Sequence, residues 1–320
     1  MKIVCDNKIP YISETLKTLA DEVVFLPGTA IKKADVMDAD ALIVRTRTKC
    51  NAALLDGTNV KFVATATIGF DHIDTAFMEQ SGIFWTNCPG CNAGSVEQYV
   101  RECIKCLQRS QKSKVKSQGS KIAIIGHGHV GSRVARMAKE LGFEVYVYDP
   151  YLFPDNSFAP IYDCDIITFH TPLTRSGEYP TYHMADKAFF AKLKNKPVII
   201  NSSRGEVVCT GDLIEAKDKG LISALIIDVW ENEPNISLEL MKRCFIATPH
   251  IAGYSANGKV NADNMVIEAL CEFFNKPIPA KILPPSVEYS GYNPFEDHEK
   301  LIKTPEFFEK LRGDYPIRLE

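Results

Sequence analysis

The 320 residues predict an α/β protein built on doubly wound parallel sheets. Three observations predict it. Apolar runs of strand length alternate with stretches of helical periodicity along most of the chain. The runs are continuous, as expected of strands covered on both faces. One of them, Ile122-Ala123-Ile124-Ile125, runs straight into Gly126-His127-Gly128-His129-Val130-Gly131, after which Val130, Val134, Ala138 and Leu141 recur at helical spacing.

Taken in order, Ile3 to Cys5 reads as a strand, and Ile12, Leu16 and Leu19 suit a helix. Val23 to Leu26 is a second strand, closed by Pro27-Gly28; Ala41 to Arg45 and Val60 to Ala64 are the third and fourth. Ile73, Phe77 and Met78 suit a helix stopped by Gly82, and Ile83 to Trp85 is a fifth strand, so the first stretch forms its own α/β domain. A long helix follows from about Ser95 to Arg109, and the polar Ser110 to Ser120 is the best linker candidate. After the glycine-bearing unit, Gly142 stops the helix and Phe143 to Tyr148 forms a strand ending in Asp149. Later strands are Ile166 to His170, Val198 to Asn201, Leu225 to Asp228 and Phe245 to Ala247. Asn257 to Phe274 reads as a helix ended by Pro277 and Pro279. Beyond Pro284-Pro285 the pattern loosens, with one short helix suggested by Phe307, Phe308 and Leu311. Such a tail has little core of its own and is expected to pack on something, a second subunit being one option.

The net charge of −3 argues against nucleic acid or an anionic membrane as the main partner. No apolar run approaches the roughly 20 residues of a membrane span. The opening MKIVCDNKIPY enters a strand at once and lacks the shape of a signal peptide. The ten cysteines show no regular framework and read as reduced thiols of a cytoplasmic protein. Cys88-Pro89-Gly90-Cys91 is a C-x-x-C, but no second pair completes a zinc set, so it reads as a turn and no metal is expected.

The glycine-rich stretch has the context of a dinucleotide site: a strand before, a helix after, and an acid 18 residues past the last glycine. Gly126 permits the tight turn, Gly128 lets backbone approach a pyrophosphate, and Gly131 lets the helix lie on the strand. His129 and Val130 sit at the helix N-terminus, whose unpaired N–H groups favour phosphate. Asp149 would accept the adenosine ribose hydroxyls and repel a 2′-phosphate, so NAD is expected over NADP. In a doubly wound sheet the loops after successive strands gather at the carboxyl edge, which places Arg204, Asp228, Glu233 and His250 near one crevice. There Arg204 can hold a carboxylate bidentately. His250 can take a hydroxyl proton as hydride leaves the same carbon, with Glu233 fixing its tautomer.

These phrases resemble the D-isomer-specific 2-hydroxyacid dehydrogenases over about residues 1 to 275. The matching residues are Gly126–Gly131 with Asp149, His170-Thr171-Pro172-Leu173, Asn201-x-x-Arg204-Gly205-x-Val207-Val208, Leu225-x-x-Asp228-Val229-x-x-x-Glu233-Pro234 and Thr248-Pro249-His250. The resemblance implies His250 as acid/base, Glu233 as its partner and Arg204 as carboxylate anchor. It implies a Rossmann-type sheet for NAD plus a flavodoxin-like α/β substrate domain. The implied domains are 1–95 with 254–281 for substrate, 96–253 for NAD, and 282–320 as a short C-terminal dimerisation segment. A narrower set, Val44-Arg45-Thr46-x-Thr48-Lys49, Thr65-Ala66-Thr67-Ile68-Gly69-x-Asp71-His72, Pro89-Gly90-Cys91-Asn92-Ala93 and His250-Ile251-Ala252-Gly253-Tyr254, is similar to members that act on a small phosphorylated 2-hydroxy acid. By that likeness Thr46, Thr67 and Tyr254 touch substrate, and Asp149, Thr171, Ser202, Ser203, Arg204, Asp228 and Gly253 touch NAD. Arg45, Arg47 and Lys49 supply positive charge for a phosphate or form a solvated basic strand end. Cys209 stands where relatives often have Asp, with Thr210 expected to take over the helix cap. The last 40 residues are shorter than the family's usual dimerisation domain, although Phe308 to Arg312 and Tyr315 to Arg318 resemble part of it, so a homodimer with a reduced interface is expected. Two alternatives stay open: a phosphoglycerate or glyoxylate/hydroxypyruvate dehydrogenase, and an NAD(H)-responsive corepressor-like binding protein.

Overall fold

A computed structural model of the chain describes residues 1–111, 114–116, 118–155, 157–286 and 291–320. The chain folds as two compact units: Met1–Asn92 with Ser255–Glu288 and Leu319–Glu320, and Ala93–Tyr254 with Tyr289–Arg318. Both are α/β, as the alternation of apolar runs and periodic stretches requires.

In the first unit β1 (Lys2–Asp6), β2 (Glu22–Leu26), β3 (Ala41–Val44), β4 (Phe62–Thr65) and β5 (Phe84–Thr86) form an all-parallel sheet in the order β2-β1-β3-β4-β5. Ile3, Cys5, Ile43 and Ala64 point into one core, and Val4, Leu42, Val44 and Val63 into the other. Both faces are therefore buried, which is why these strands read as unbroken apolar runs. Its helices are α1 (Ser13–Leu19), α2 (Lys33–Val36), α3 (Ala52–Leu55) and α4 (Thr75–Ser81). Asp74 caps α4 by accepting the Phe77 N–H at 3.1 Å, and Gly82 ends it with φ +66°. Cys88 to Cys91 is the expected turn, with the Cys91 N–H on the Cys88 carbonyl at 3.3 Å. All ten cysteines are free.

The second unit begins with α5 (Ala93–Arg109). The polar stretch 110–120 thus lies inside this unit and does not link the two; Val115 is buried there because it packs with Leu107 and Ile122. Lys112, Ser113 and Ser117 of that stretch fall outside the described residues, as do 287–290 of the expected C-terminal segment. The strands are β6 (Lys121–Ile125), β7 (Glu144–Tyr148), β8 (Ile166–Phe169), β9 (Val198–Asn201), β10 (Ala224–Ile227) and β11 (Ile246–Ala247). All are parallel, in the order β11-β10-β9-β8-β6-β7. The strand order reverses between β6 and β8, the place in such sheets where ligands bind. The associated helices are α6 (His129–Glu140), α7 (Lys187–Phe190), α8 (Thr210–Asp218) and α9 (Leu238–Met241). The chain then returns to the first unit through α10 (Ala256–Phe273), whose Ala262, Val266 and Leu270 are buried in that unit's core.

The tail departs from the single short helix expected. It forms α11 (Pro294–Lys303) and α12 (Phe308–Gly313). The signal for α11 was polar: Asn293 caps the helix, proline opens it, and acids in the first turn face lysines in the last. The tail packs on its own second unit, with Leu301 and Phe308 buried among Phe169, Phe189 and Leu240. His298 Nδ1 accepts the Ala247 N–H at 3.1 Å beside the edge strand β11. Among the described residues no helix is long and apolar enough to cross a membrane.

Candidate active site

The nucleotide loop is shaped by contacts a side chain would break. Gly126 has φ +88°, and a Cβ there would meet the His170 carbonyl oxygen at 2.7 Å. A Cβ on Gly131 would stand 1.9 Å from the Gly126 carbonyl oxygen, so α6 lies against β6 only because position 131 is bare. Gly128 is different: nothing lies within 4 Å of a Cβ built there. It occupies the cap position of α6, with His129, Val130 and Gly131 in the first turn. Asp149, at the end of β7, accepts the His127 N–H at 2.8 Å and the Tyr151 N–H at 3.2 Å. The acid expected at the ribose position is thereby held to the glycine loop.

The loops after β9, β10 and β11 carry the remaining residues. The Asn201 amide organises the first: its oxygen accepts the Ser203 N–H at 3.1 Å, and its nitrogen donates to the Arg204 carbonyl at 2.9 Å. Gly205 allows this loop to touch the next, since a Cβ there would fall 2.0 Å from the Trp230 carbonyl carbon. Asp228, almost fully buried, accepts from the Thr248 hydroxyl at 2.6 Å, the Ile251 N–H at 2.8 Å and the Ala252 N–H at 2.9 Å. Tyr99 completes the chain at 2.8 Å from Thr248 Oγ1; Thr248 gives its proton to Asp228, so Tyr99 is the donor. His250 rides on this platform, its N–H on the Asp228 carbonyl at 2.8 Å and its backbone in the left-handed region at φ +57°.

His250 Nδ1 lies 2.8 Å from Glu233 Oε2. The other Glu233 oxygen accepts the Trp230 N–H at 2.9 Å. Burial pushes the Glu233 carboxyl up, but the His250 hydrogen bond, the Trp230 N–H and the Arg312 guanidinium together hold it below its ordinary value. An ionised Glu233 accepts only, so Nδ1 carries the proton and Nε2 is left as the basic nitrogen.

The cap of α8 is not the threonine expected. Cys209 occupies the cap position of α8 without a capping hydrogen bond, and Thr210 is the first helical residue. Its N–H donates at 2.9 Å to Glu231, whose other oxygen lies 2.6 Å from His183 Nε2. A carboxylate from another loop thus does what a capping side chain would, with the helix dipole favouring it.

Thr46, Thr67 and Arg45 belong to the first unit. Thr46, Arg47 and Lys49 are exposed in the turn after β3. Arg45 Nε donates at 3.0 Å to the fully buried Asp6, so its charge already has a partner. Thr67 donates to the Gly69 carbonyl at 2.9 Å and lies 2.6 Å from the Thr65 hydroxyl, itself 3.0 Å from His72 Nε2. Lys259 of α10 joins this basic group: burial and the Arg45 charge push its ammonium down, and Asp263 opposes them.

The family model described as D-isomer specific 2-hydroxyacid dehydrogenase, NAD binding domain, matches residues 92–252. A Bacteroides fragilis protein named erythronate-4-phosphate dehydrogenase is 49% identical, with 100% of this chain and 97% of the relative covered. The chain belongs to the D-isomer-specific 2-hydroxyacid dehydrogenase family. A Porphyromonas gingivalis relative of the same name is 39% identical over 99% of this chain and 92% of its own. Among solved structures, NAD+-bound 3-phosphoglycerate dehydrogenase of Entamoeba histolytica has a TM-score of 0.73 at 26% identity, covering 88% of this chain and 98% of its own. D-mandelate dehydrogenase of Rhodotorula graminis shares the fold, with a TM-score of 0.74 at 20% identity, covering 89% and 99%.

The family's cofactor fits what the second unit offers. Among the described residues, four buried polar atoms at the carboxyl edge lack a hydrogen-bond partner: His127 Nδ1, His170 Nδ1, Thr171 Oγ1 and Ser202 Oγ. They follow β6, β8 and β9, beside the strand reversal. Buried polar groups are rarely left unpaired, and here they share an edge with the open ground over Gly128. Thr171, Ser202 and the first turn of α6 would hold NAD, with Asp149 at the ribose. Burial pushes the His170 imidazole down to about 3, so it is neutral there. The sequence reading missed the supports of the site, namely Asn201, Trp230, Thr248 and Tyr99. Only Asn201 and Thr248 stood in recognised motifs; the other two are core-like residues whose polar atoms gain meaning from their partners.

Proposed function

We propose that the protein oxidises 4-phospho-D-erythronate to 2-oxo-3-hydroxy-4-phosphobutanoate, a step on the route to pyridoxal phosphate. The observation that carries the reading is the His250–Glu233 pair at 2.8 Å, held by the Asp228 platform. Glu233 fixes Nδ1, so His250 Nε2 accepts the C2 hydroxyl proton as the C2–H bond breaks and the C2=O bond forms. Such help is worth roughly 10²–10⁴ in rate. Arg204 holds the C1 carboxylate in a charge-assisted pair. NAD supplies the hydride acceptor when bound. Thr46, Thr67 and Tyr254 contact substrate, and Arg47, Lys49 and Lys259 supply charge for its phosphate, with Arg45 held beside them by Asp6. The relatives named erythronate-4-phosphate dehydrogenase support this choice of substrate.

We further read the protein as a homodimer, supported by Ile302, Phe307 and Ile317, which the tail leaves exposed. A clean monomer by light scattering at working concentration would contradict it. We place it in a reducing cytoplasm, where ten unpaired thiols persist; recovery from cells with oxidised cysteines would argue otherwise. The deciding assay is NADH formation with 4-phosphoerythronate beside 3-phosphoglycerate and glycerate, with and without an added 2-oxo acid. With acceptor present, the 2-oxo product is followed, because reduced cofactor is reoxidised. Turnover specific to 4-phosphoerythronate is expected. Turnover on another acid would discard the substrate and keep the chemistry. Bound NAD without turnover would favour the corepressor-like alternative.

A further inference from the structure

We propose that Arg312, on the C-terminal helix α12, is a positioning residue for this reaction and acts through Tyr254 and Glu233. Its Nε donates to the Tyr254 hydroxyl at 3.1 Å, and its guanidinium carbon lies 5.9 Å from the centre of that ring. Its Nη1 lies 3.6 Å from Glu233 Oε2, the oxygen that also receives His250 Nδ1. One guanidinium thus meets the acid partner of the proposed base and a proposed substrate residue. All four residues belong to the same compact unit.

The chemistry of each contact is directional. Arginine has no acceptor, so Tyr254 accepts from it and sends its own proton elsewhere. The phenol is thereby set to meet its other partner as a donor, the role suited to a substrate oxygen. At Glu233 the guanidinium lies beside the oxygen that steers His250, and its charge adds to the His250 and Trp230 hydrogen bonds that keep the carboxylate ionised against burial. The titratable and charged groups acting on Glu233 are His250 and Arg312.

Anchoring the tail is the plainer role for such a residue, but the tail is held by other means. Leu301 and Phe308 are buried in the core, Tyr315 donates to Asp297 at 2.7 Å, and buried Arg318 donates to the Ala252 carbonyl at 2.6 Å.

The proposal rests on the reading that His250 takes the hydroxyl proton, and its test separates the two. The full chain is assayed as Arg312→Gln, Arg312→Lys, Tyr254→Phe and Tyr254→Phe/Arg312→Gln, on the hydroxy acid that the wild type turns over. Arg312→Gln is expected to lower kcat about tenfold, in the range of a lost orienting contact, with the KM for NAD unchanged. Removing a positive charge eases protonation of Glu233. Glu233 must stay ionised to hold His250 Nδ1, so the acid limb of kcat/KM moves up. Arg312→Lys keeps the charge and restores the limb. In the Tyr254→Phe background, Arg312→Gln costs less than in wild type. Wild-type kcat and limb in Arg312→Gln overturn the proposal. So does a fall in kcat with the limb unmoved and the two substitutions additive, since that is packing alone. If Arg312→Gln does not fold, Arg312→Lys decides: a loss of kcat that is smaller in the Tyr254→Phe background than in wild type supports the proposal, and wild-type kcat or additive losses overturn it. If the wild type turns over none of the acids, the functional reading fails. The titration of the Glu233 carboxyl followed by NMR then still tests Arg312, and an unshifted midpoint in Arg312→Gln overturns it.

Discussion

Replacing Asp228 with asparagine tests whether the loop that carries His250 is held as the structure has it. The Asp228 carboxylate is almost fully buried and accepts three hydrogen bonds, two on Oδ1 from Thr248 and Ile251 and one on Oδ2 from Ala252. Asparagine keeps one oxygen, so the Oδ1 pair can survive as neutral bonds. Its amide nitrogen then faces the Ala252 N–H, donor against donor. A buried N–H left unsatisfied costs about 1–3 kcal/mol, and each bond that loses its charge assistance gives up about 0.5–1 kcal/mol. The sum is about 2–5 kcal/mol, less than the whole stability of a typical domain. The variant should therefore fold with a lower urea midpoint. Protection of the Ala252 amide in hydrogen exchange should fall more than that of strand amides in β6. Turnover should fall with it, because the His250 N–H hangs on the same residue's carbonyl. An Asp228→Asn protein within 0.5 kcal/mol of wild type, with the Ala252 amide still protected, would refute the assignment of this carboxylate to the loop.

Two further outcomes follow from single contacts. Gly131→Ala places a methyl 1.9 Å from the Gly126 carbonyl oxygen, so α6 must shift; NAD affinity measured by titration calorimetry should drop at least tenfold, and unchanged affinity would contradict the close packing. His170 has a folded pKa near 3 against an ordinary value of 6.5, so the unfolded chain takes up the proton first. Its contribution to stability is then present above about pH 6.5 and is lost as pH falls toward about 3, by roughly 1.4 kcal/mol per pH unit. His170→Asn should flatten the acid side of the stability profile by that slope, and identical slopes in variant and wild type would refute the burial argument.

The fold was legible where burial on both faces produced unbroken apolar runs. Ile122–Ile125 and Val198–Ile200 could be read as strand because neighbours in sequence point into two different cores and both must be apolar. The four-residue helices α2, α3, α7 and α9 escaped because they are too short to show a period. The helix α11 escaped because its burial rests on few residues and its signals are a cap and a charge gradient.

The sequence by itself determined the chemistry on offer: glycines at set spacing ahead of a helix, an acid after the next strand, and Arg, Glu and His in loops that a parallel sheet must bring to one edge. Those follow from local spacing and from the handed, repetitive geometry of alternating strands and helices, which leave few other arrangements. The tertiary structure decided which atoms meet. That Asp228 turns both carboxylate oxygens into the loop of His250, that Glu231 caps α8 where a threonine was expected, and that Arg312 comes back from the tail to Glu233 are contacts between residues far apart in the chain. Hydrogen bonds form or fail over tenths of an ångström, and no spacing in a linear sequence fixes a distance that finely.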